Sequence, residues 1–265
     1  VVVLLCLTGV QPLRAQSDRA EQVRAFGNSA PFQIDDLPLG ILKSQLNALP
    51  IAAQQRAISW LHQFDFTEQD LPMLRADISG AVYYEDPPFE GEAGDEESFT
   101  PALEELTEAQ TFNLHSKPGA SRTVYLDLDG AVVTGTRWND NQGVATFYMR
   151  PYDTDGNELS FSQSELNDIA ETWKRVSEDF APYDIDVTTE APPSFGFNVG
   201  HILVTRKADE NGNEIYSCSC GGVAYVGVWG QSNYTYYQPA LVFLDGVGGP
   251  HNISEAASHE LGYPN

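Results

Sequence analysis

Near its carboxyl end the chain reads Ser258-His259-Glu260-Leu261-Gly262-Tyr263. A histidine and a glutamate side by side on a helix can serve one metal ion. The imidazole ligates it, and the carboxylate takes a proton from metal-bound water while the ion stabilises the oxyanion formed at the carbonyl under attack. That chemistry also needs a second histidine one turn on, projecting from the same helix face. Position 263 is Tyr instead, followed by Pro264 and Asn265. The sequence thus offers His259 as a metal ligand and Glu260 as a general base, and by itself is expected to hold zinc only weakly. Taken alone, one His and one Glu on a helix more often mark an ordinary surface helix.

Other residues invite chemistry too. Thr123-Val124-Tyr125-Leu126 runs into Asp127-Leu128-Asp129-Gly130. This resembles the opening strand of haloacid-dehalogenase-type phosphatases, in which Asp127 would be the nucleophile and Asp129 the acid/base. Ala131 stands where that family has Thr or Val, and the later motifs of that family, a lysine and an acidic magnesium pair in sequence, are not apparent. The competing reading makes both aspartates structural or calcium-binding. Asp153-Thr154-Asp155-Gly156-Asn157 suggests a calcium loop, but an EF-hand register puts Pro151 and Ser162 at its two ends, where ligands are required. A polar turn explains it better than a looser carboxylate site. His201 and His251 read as ordinary histidines. Cys218 and Cys220 are separated by one residue, so at least one is expected to find a disulfide partner further on. Asn233-Tyr234-Thr235 and Asn252-Ile253-Ser254 match the N-glycosylation pattern, which is common by chance.

The elements that must position these residues follow from pattern. Residues 17–75 read as helical and polar, with Ala57, Ile58, Leu61 and Phe64 at helical spacing. Residues 76–84 turn strand-like. Between 77 and 116 there is no Lys or Arg, and acids crowd around Pro87-Pro88, which reads as a linker over about 85–110. Strands are expected at 123–126, 146–149, 185–189, 201–205 and 240–244. Leu166, Ile169, Ala170, Trp173, Val176 and Phe180 predict an amphipathic helix, with Ser162 and Glu165 as its capping box and Pro182 as its stop. A last helix is expected to start at Asn252 as N-cap. This order implies an α/β (α+β) layer with a mixed sheet.

With 14 Lys+Arg against 38 Asp+Glu in 265 residues, the net charge is −24, which opposes binding to phosphate backbones. Such acidity favours solubility and attracts divalent cations. Residues 1–10 are largely apolar and lead to Arg14-Ala15-Gln16, a pattern expected of a secretory signal peptide over 1–16 that is incomplete at its start. The run is too short to span a membrane. The protein is expected to be secreted, monomeric, and without stable membrane association or nucleic-acid partners.

Four segments give the chain a family resemblance. They are 112–130, Gly135-Thr136-Arg137-Trp138-Asn139, 169–190 with Glu178-Asp179-Phe180-Ala181-Pro182-Tyr183-Asp184, and Cys220-Gly221-Gly222-Val223-Ala224-Tyr225-Val226-Gly227-Val228, leading into the His259 helix. Together they are similar to secreted bacterial zinc metallopeptidases of the metzincin clan, near the reprolysin-like and serralysin-like families. The resemblance implies a metzincin-like mixed twisted sheet over 119–265, with a propeptide over 17–118 that includes the Ser59-Trp60-Leu61-His62 stretch. It implies zinc as cofactor, with calcium as a further candidate, His259 as first zinc ligand and Glu260 as general base. It also implies protein or peptide substrates, bound by strand addition along an exposed edge at Gly222, Val223, Ala224 and Tyr225. An ordinary buried Gly-rich strand is the competing reading of that segment. The later ligands and a methionine-containing turn are absent, so this chain is expected to be an inactive, truncated fragment of a zinc endopeptidase precursor. The alternative is a non-catalytic exported relative that binds peptides or cations. The presumed propeptide has no cysteine to cap zinc, so latency falls to an acidic residue or to steric cover.

Overall fold

A computed structural model of the chain describes residues 23–88 and 106–262. The expected leader at 1–16, most of the expected linker and positions 263–265 lie outside the described residues. The described chain runs β1 (Ala25–Gly27), α1 (Ile41–Ala48), α2 (Ile51–Leu61), β2 (Asp65–Thr67), β3 (Leu74–Ala76), β4 (Val82–Asp86) and α3 (Glu108–Thr111). It continues as β5 (Arg122–Asp127), β6 (Val132–Thr134), α4 (Arg137–Gln142), β7 (Thr146–Tyr148), α5 (Gln163–Phe180), β8 (Ile185–Thr188) and β9 (Val199–Thr205). It closes with β10 (Gly222–Tyr225), α6 (Tyr234–Tyr237), β11 (Ala240–Phe243), α7 (Leu244–Val247) and α8 (Pro250–Gly262).

The fold is mixed α/β, built on a seven-stranded sheet in the order β3-β4-β10-β11-β9-β5-β8. Strands β8, β5, β9 and β11 are parallel. At β10 the direction reverses: β10 runs antiparallel to both β11 and β4, and β3 and β4 form an antiparallel pair. Side-chain alternation sorts the strands into two buried faces. Val124, Leu126, Ile202, Val204 and Val242 face α5 and α8, meeting Ile169, Val176, Ile253 and Ala257. Leu203, Val223, Tyr225, Leu241 and Phe243 face the other way, onto Trp138, Phe147 and Met149. Parallel strands buried on both faces are expected to be apolar; β11 (Ala-Leu-Val-Phe) is so throughout, whereas β5 and the edge strand β8 carry polar residues.

The α5 helix forms as its sequence predicts. The Ser162 hydroxyl accepts the Glu165 N–H, and the Glu165 carboxylate reaches back to the Ser162 N–H at 2.8 Å. The α8 helix begins earlier than expected. Pro250, not Asn252, opens it, because proline lacks the N–H that a first helical residue would leave unpaired. Asn252 lies inside the helix and donates its side-chain amide to the Val247 carbonyl.

Three further expectations need correction. Residues 23–75 are not simply helical and polar. They contain strands, and Phe26, Phe32, Leu42, Leu46, Leu61 and Phe66 bury one another in a core of their own. The acidic linker does not begin at 85, because Glu85 and Asp86 end strand β4, and its far end folds as α3. Cys218 and Cys220 are bonded to each other, with Cα atoms 5.2 Å apart, inside the usual span of a disulfide.

Candidate functional site

His259 and Glu260 sit in the last turn of α8, above the point where β10 meets β4. Glu260 is buried against Gly222, where an added Cβ would collide with its carboxyl group. The glycine therefore lets strand and carboxyl approach more closely than any other residue would allow. Leu261 fits beside Gly200 for the same reason, with the Trp229 ring also at hand. Glu260 and Leu261 border a small cleft whose other walls include Ala224, Tyr225, Trp229 and Tyr237.

The partner of His259 is Asp86. Its Nδ1–H donates to Asp86 Oδ2 at 2.6 Å, and the Tyr84 ring stands nearby, its centroid 6.0 Å from that of the imidazole. Neither oxygen of Glu260 nor Asp86 Oδ1 receives a hydrogen bond. Burial, and then repulsion from Asp86, push the Glu260 carboxyl well above the usual carboxylate range. Two ionised carboxylates cannot bond to each other, whereas a protonated Glu260 could donate to Asp86. Such a buried acid is one way that general acid/base groups are tuned, and uncompensated burial has the same effect.

The proposed substrate strand is not an exposed edge. Gly222, Val223, Ala224 and Tyr225 are buried between β11 on one side and β4 on the other. In the register Gly222 faces Asp86, Val223 faces Glu85, Ala224 faces Tyr84 and Tyr225 faces Tyr83. The Gly221 N–H donates to the Asp86 carbonyl and the Val226 N–H to the Val82 carbonyl, at 3.0 and 3.1 Å. The edge that strand addition would require is filled by the chain's own residues 82–86.

No protein-family model, no curated protein and no solved structure matches this chain. What the site can do follows from its own chemistry. A zinc centre needs about three protein ligands besides a water. The described residues supply one imidazole, His259, already held by Asp86, and the carboxyl of Glu260 beside it. They fit as one ligand and a base, and they do not complete a centre.

The other candidates are separated from this site. Asp127 lies on the opposite face of the sheet, 3% exposed, with Oδ2 2.8 Å from His201 Nε2. So deeply set, it is not open to attack a phosphate ester. Burial and the charge of Asp127 push Asp129 up to about 6, and the His201 ring packs against both Tyr125 and Phe195. His251 stands near the start of α8, 3.2 Å from the Arg175 guanidinium. Asp153, Asp155 and Glu165 converge closely enough to share an ion. Their oxygens already accept the N–H groups of Thr154, Gly156, Asn157 and Ser162, as expected of a polar turn that also caps α5. Nothing at that turn identifies which cation, zinc or calcium, it would prefer.

Sequence reasoning missed Asp86 because it counted as one more acid in a linker. The signal was there: Val82, Tyr84 and Asp86 alternate with Tyr83 and Glu85 in a strand-like period. It also missed the pairing of Asp127 with His201, residues 74 apart, which no local pattern carries.

Proposed function

We propose that this chain is part of a secreted zinc-dependent endopeptidase precursor, with residues 17–118 as propeptide and a metzincin-like catalytic fold from 119 onward. His259 is one metal ligand and Glu260 the general base. One observation carries the reading: a buried glutamate next to a histidine on α8, laid against a glycine of the neighbouring strand. That arrangement sets a carboxyl group within one residue of a metal-ligating side chain, as a general base for metal-bound water requires.

Zinc, once bound with further ligands, would polarise that carbonyl and lower the pKa of its water. The chain's own residues do the rest. Glu260 holds or releases a proton at its carboxyl oxygens, and Gly222 permits its approach to the strand. With Tyr263 in place of a second histidine, the chain as written is expected to be inactive.

Zinc affinity, measured by competition with a chromophoric chelator, tests the reading. Tyr263→His should tighten binding at least about tenfold over the native chain, and a further His259→Ala should abolish the gain. If Tyr263→His gains nothing while the fold is retained, α8 is not a zinc helix, and the peptide-binding, non-catalytic reading takes its place. That second reading is favoured by Tyr263 itself.

A further inference from the structure

Cys218 and Cys220 close a ring over a single intervening residue, Ser219. The shorter the loop a disulfide closes, the less it restricts the unfolded chain, so this bond does little to hold the fold together. We infer that Cys218 is a site of reversible thiolation. A small neutral or cationic thiol opens the ring and remains on Cys218 as a mixed disulfide, while Cys220 is left as a thiol inside the core. The inference does not rest on the peptidase reading.

The two sulfurs differ in access. Cys220 is 0% exposed and belongs to the apolar cluster that holds Ile215, Val223 and Phe243. Cys218 is half-buried at the margin of that cluster, between exposed Ser217 and Ser219. A thiolate arriving from solvent therefore meets Cys218. It forms a bond to the Cys218 Sγ, the bond between Cys218 and Cys220 breaks, and the electron pair leaves on the Cys220 sulfur, which takes up the proton the incoming thiol gave away. One disulfide is exchanged for another, with no further oxidant or reductant. The reverse step is hindered twice. A thiol in apolar surroundings ionises reluctantly, and closing a ring over one residue demands a narrow set of backbone conformations.

The backbone on either side is pinned without the disulfide. Upstream, the Ile215 N–H donates to the Lys207 carbonyl at 2.8 Å, and the Tyr216 hydroxyl donates to Glu85 at 2.6 Å. Downstream, the Gly221 N–H donates to the Asp86 carbonyl at 3.0 Å, and the Gly221 carbonyl accepts the Phe243 N–H at 2.7 Å. The Cys220 carbonyl lies so close to Gly246 that an added Cβ there would collide with it. Opening the ring frees residues 217–219 and leaves β10 in register. The net charge of −24 opposes an anionic thiol and sets the preference for a neutral or cationic one.

The experiment uses the full chain with Cys6→Ser, so that only the pair responds. The protein is equilibrated in cysteamine–cystamine buffers of about 5 mM total near pH 8, quenched in acid, alkylated, and read by intact mass and peptide mapping. As the share of thiol rises, a single cysteamine on Cys218 should reach at least about a third of the protein before the dithiol appears. Passage from disulfide to dithiol with under about 5% adduct, or adduct on Cys220 as often as on Cys218, overturns the inference. Amide exchange at 222–225 should be unchanged in the thiolated protein, and its loss of protection would show instead that the bond holds β10. Single-cysteine variants test access without the ring. With Cys220→Ala, Cys218 should react with an aromatic disulfide reagent as an open thiol does, and with Cys218→Ala, Cys220 should react about a hundredfold more slowly until urea is added. Equal rates in the two native variants would sink the proposed asymmetry.

Discussion

Gly222 is the residue on which the site turns, because the space a Cβ would need is taken by the Glu260 carboxyl group. Gly222→Ala should cost about 1–3 kcal/mol by overpacking, seen as a lower urea midpoint. The double variant Gly222→Ala with Glu260→Ala should recover much of that loss, since the collision is removed with the carboxyl. Additive losses would show that the two residues are not in contact. His115 makes a second residue-scale test. Burial works against its charged form, but bonds to Asp186 at 2.7 Å and Glu190 at 2.9 Å prevail and raise its pKa above 6.5. A histidine whose folded pKa is raised stabilises the fold fully below its unfolded value, and loses that contribution as pH rises through the folded value. His115→Ala should therefore cost about 2 kcal/mol near pH 5 and clearly less near pH 9, measured by denaturant titration. An equal cost at both pH values would deny the shift.

Among elements, α5 and β4 show opposite relations to sequence. The α5 helix carries its own start signal, and Glu165 does double service there: it closes the capping box and takes the Thr154 N–H at 2.7 Å. Burial raises the Glu165 pKa, yet these bonds overcome it and hold the group below the usual carboxylate value. Removing the side chain leaves several buried donors unpaired. Glu165→Ala should lower stability by about 2–3 kcal/mol, or several degrees of Tm, whereas Glu171→Ala on the solvent side should change little. Strand β4 carries only a short alternation, five residues ending in acids and followed by prolines. Its place between β3 and β10 is what the pattern leaves open and the tertiary structure decides. The expected exposed edge at β10 failed for the same reason: a sequence shows a strand, not which neighbour lies beside it.

At the scale of the molecule, the amino-terminal region and the sheet are joined by buried polar contacts as well as by β4. Asp77 follows β3, and its carboxylate meets Arg137 of α4 at 2.7 Å and the Tyr225 hydroxyl at 3.2 Å. Trp60 of α2 donates to the Val226 carbonyl at 2.9 Å. Breaking the ion pair strands a charge that is only 6% exposed, so Arg137→Ala should cost about 3–5 kcal/mol. Thermal melts would check it, and a loss under 1 kcal/mol would mean that the carboxylate finds water instead. A net charge of −24 adds a global term. Like charges repel across the folded surface, so raising NaCl from about 0.02 to 0.5 M should raise Tm, and an unchanged Tm would show the acids already screened or paired. Among the described residues no helix is long and apolar enough to cross a membrane.

Sequence alone determined the features that are local. Period and caps located α5, and apolar runs located β5, β8, β9 and β11. Each of these is written within a few residues, where side-chain spacing and a single turn of backbone decide the outcome. Only the tertiary structure decided what meets across the chain. It set Asp86 on His259, paired Cys218 with Cys220, put β4 on the edge of β10, and turned Asp127 away from α8 toward His201. The reason is physical. A strand's hydrogen-bonding edge and a buried carboxylate are both satisfied by partners distant in sequence, and only burial against the rest of the fold selects which partner they find.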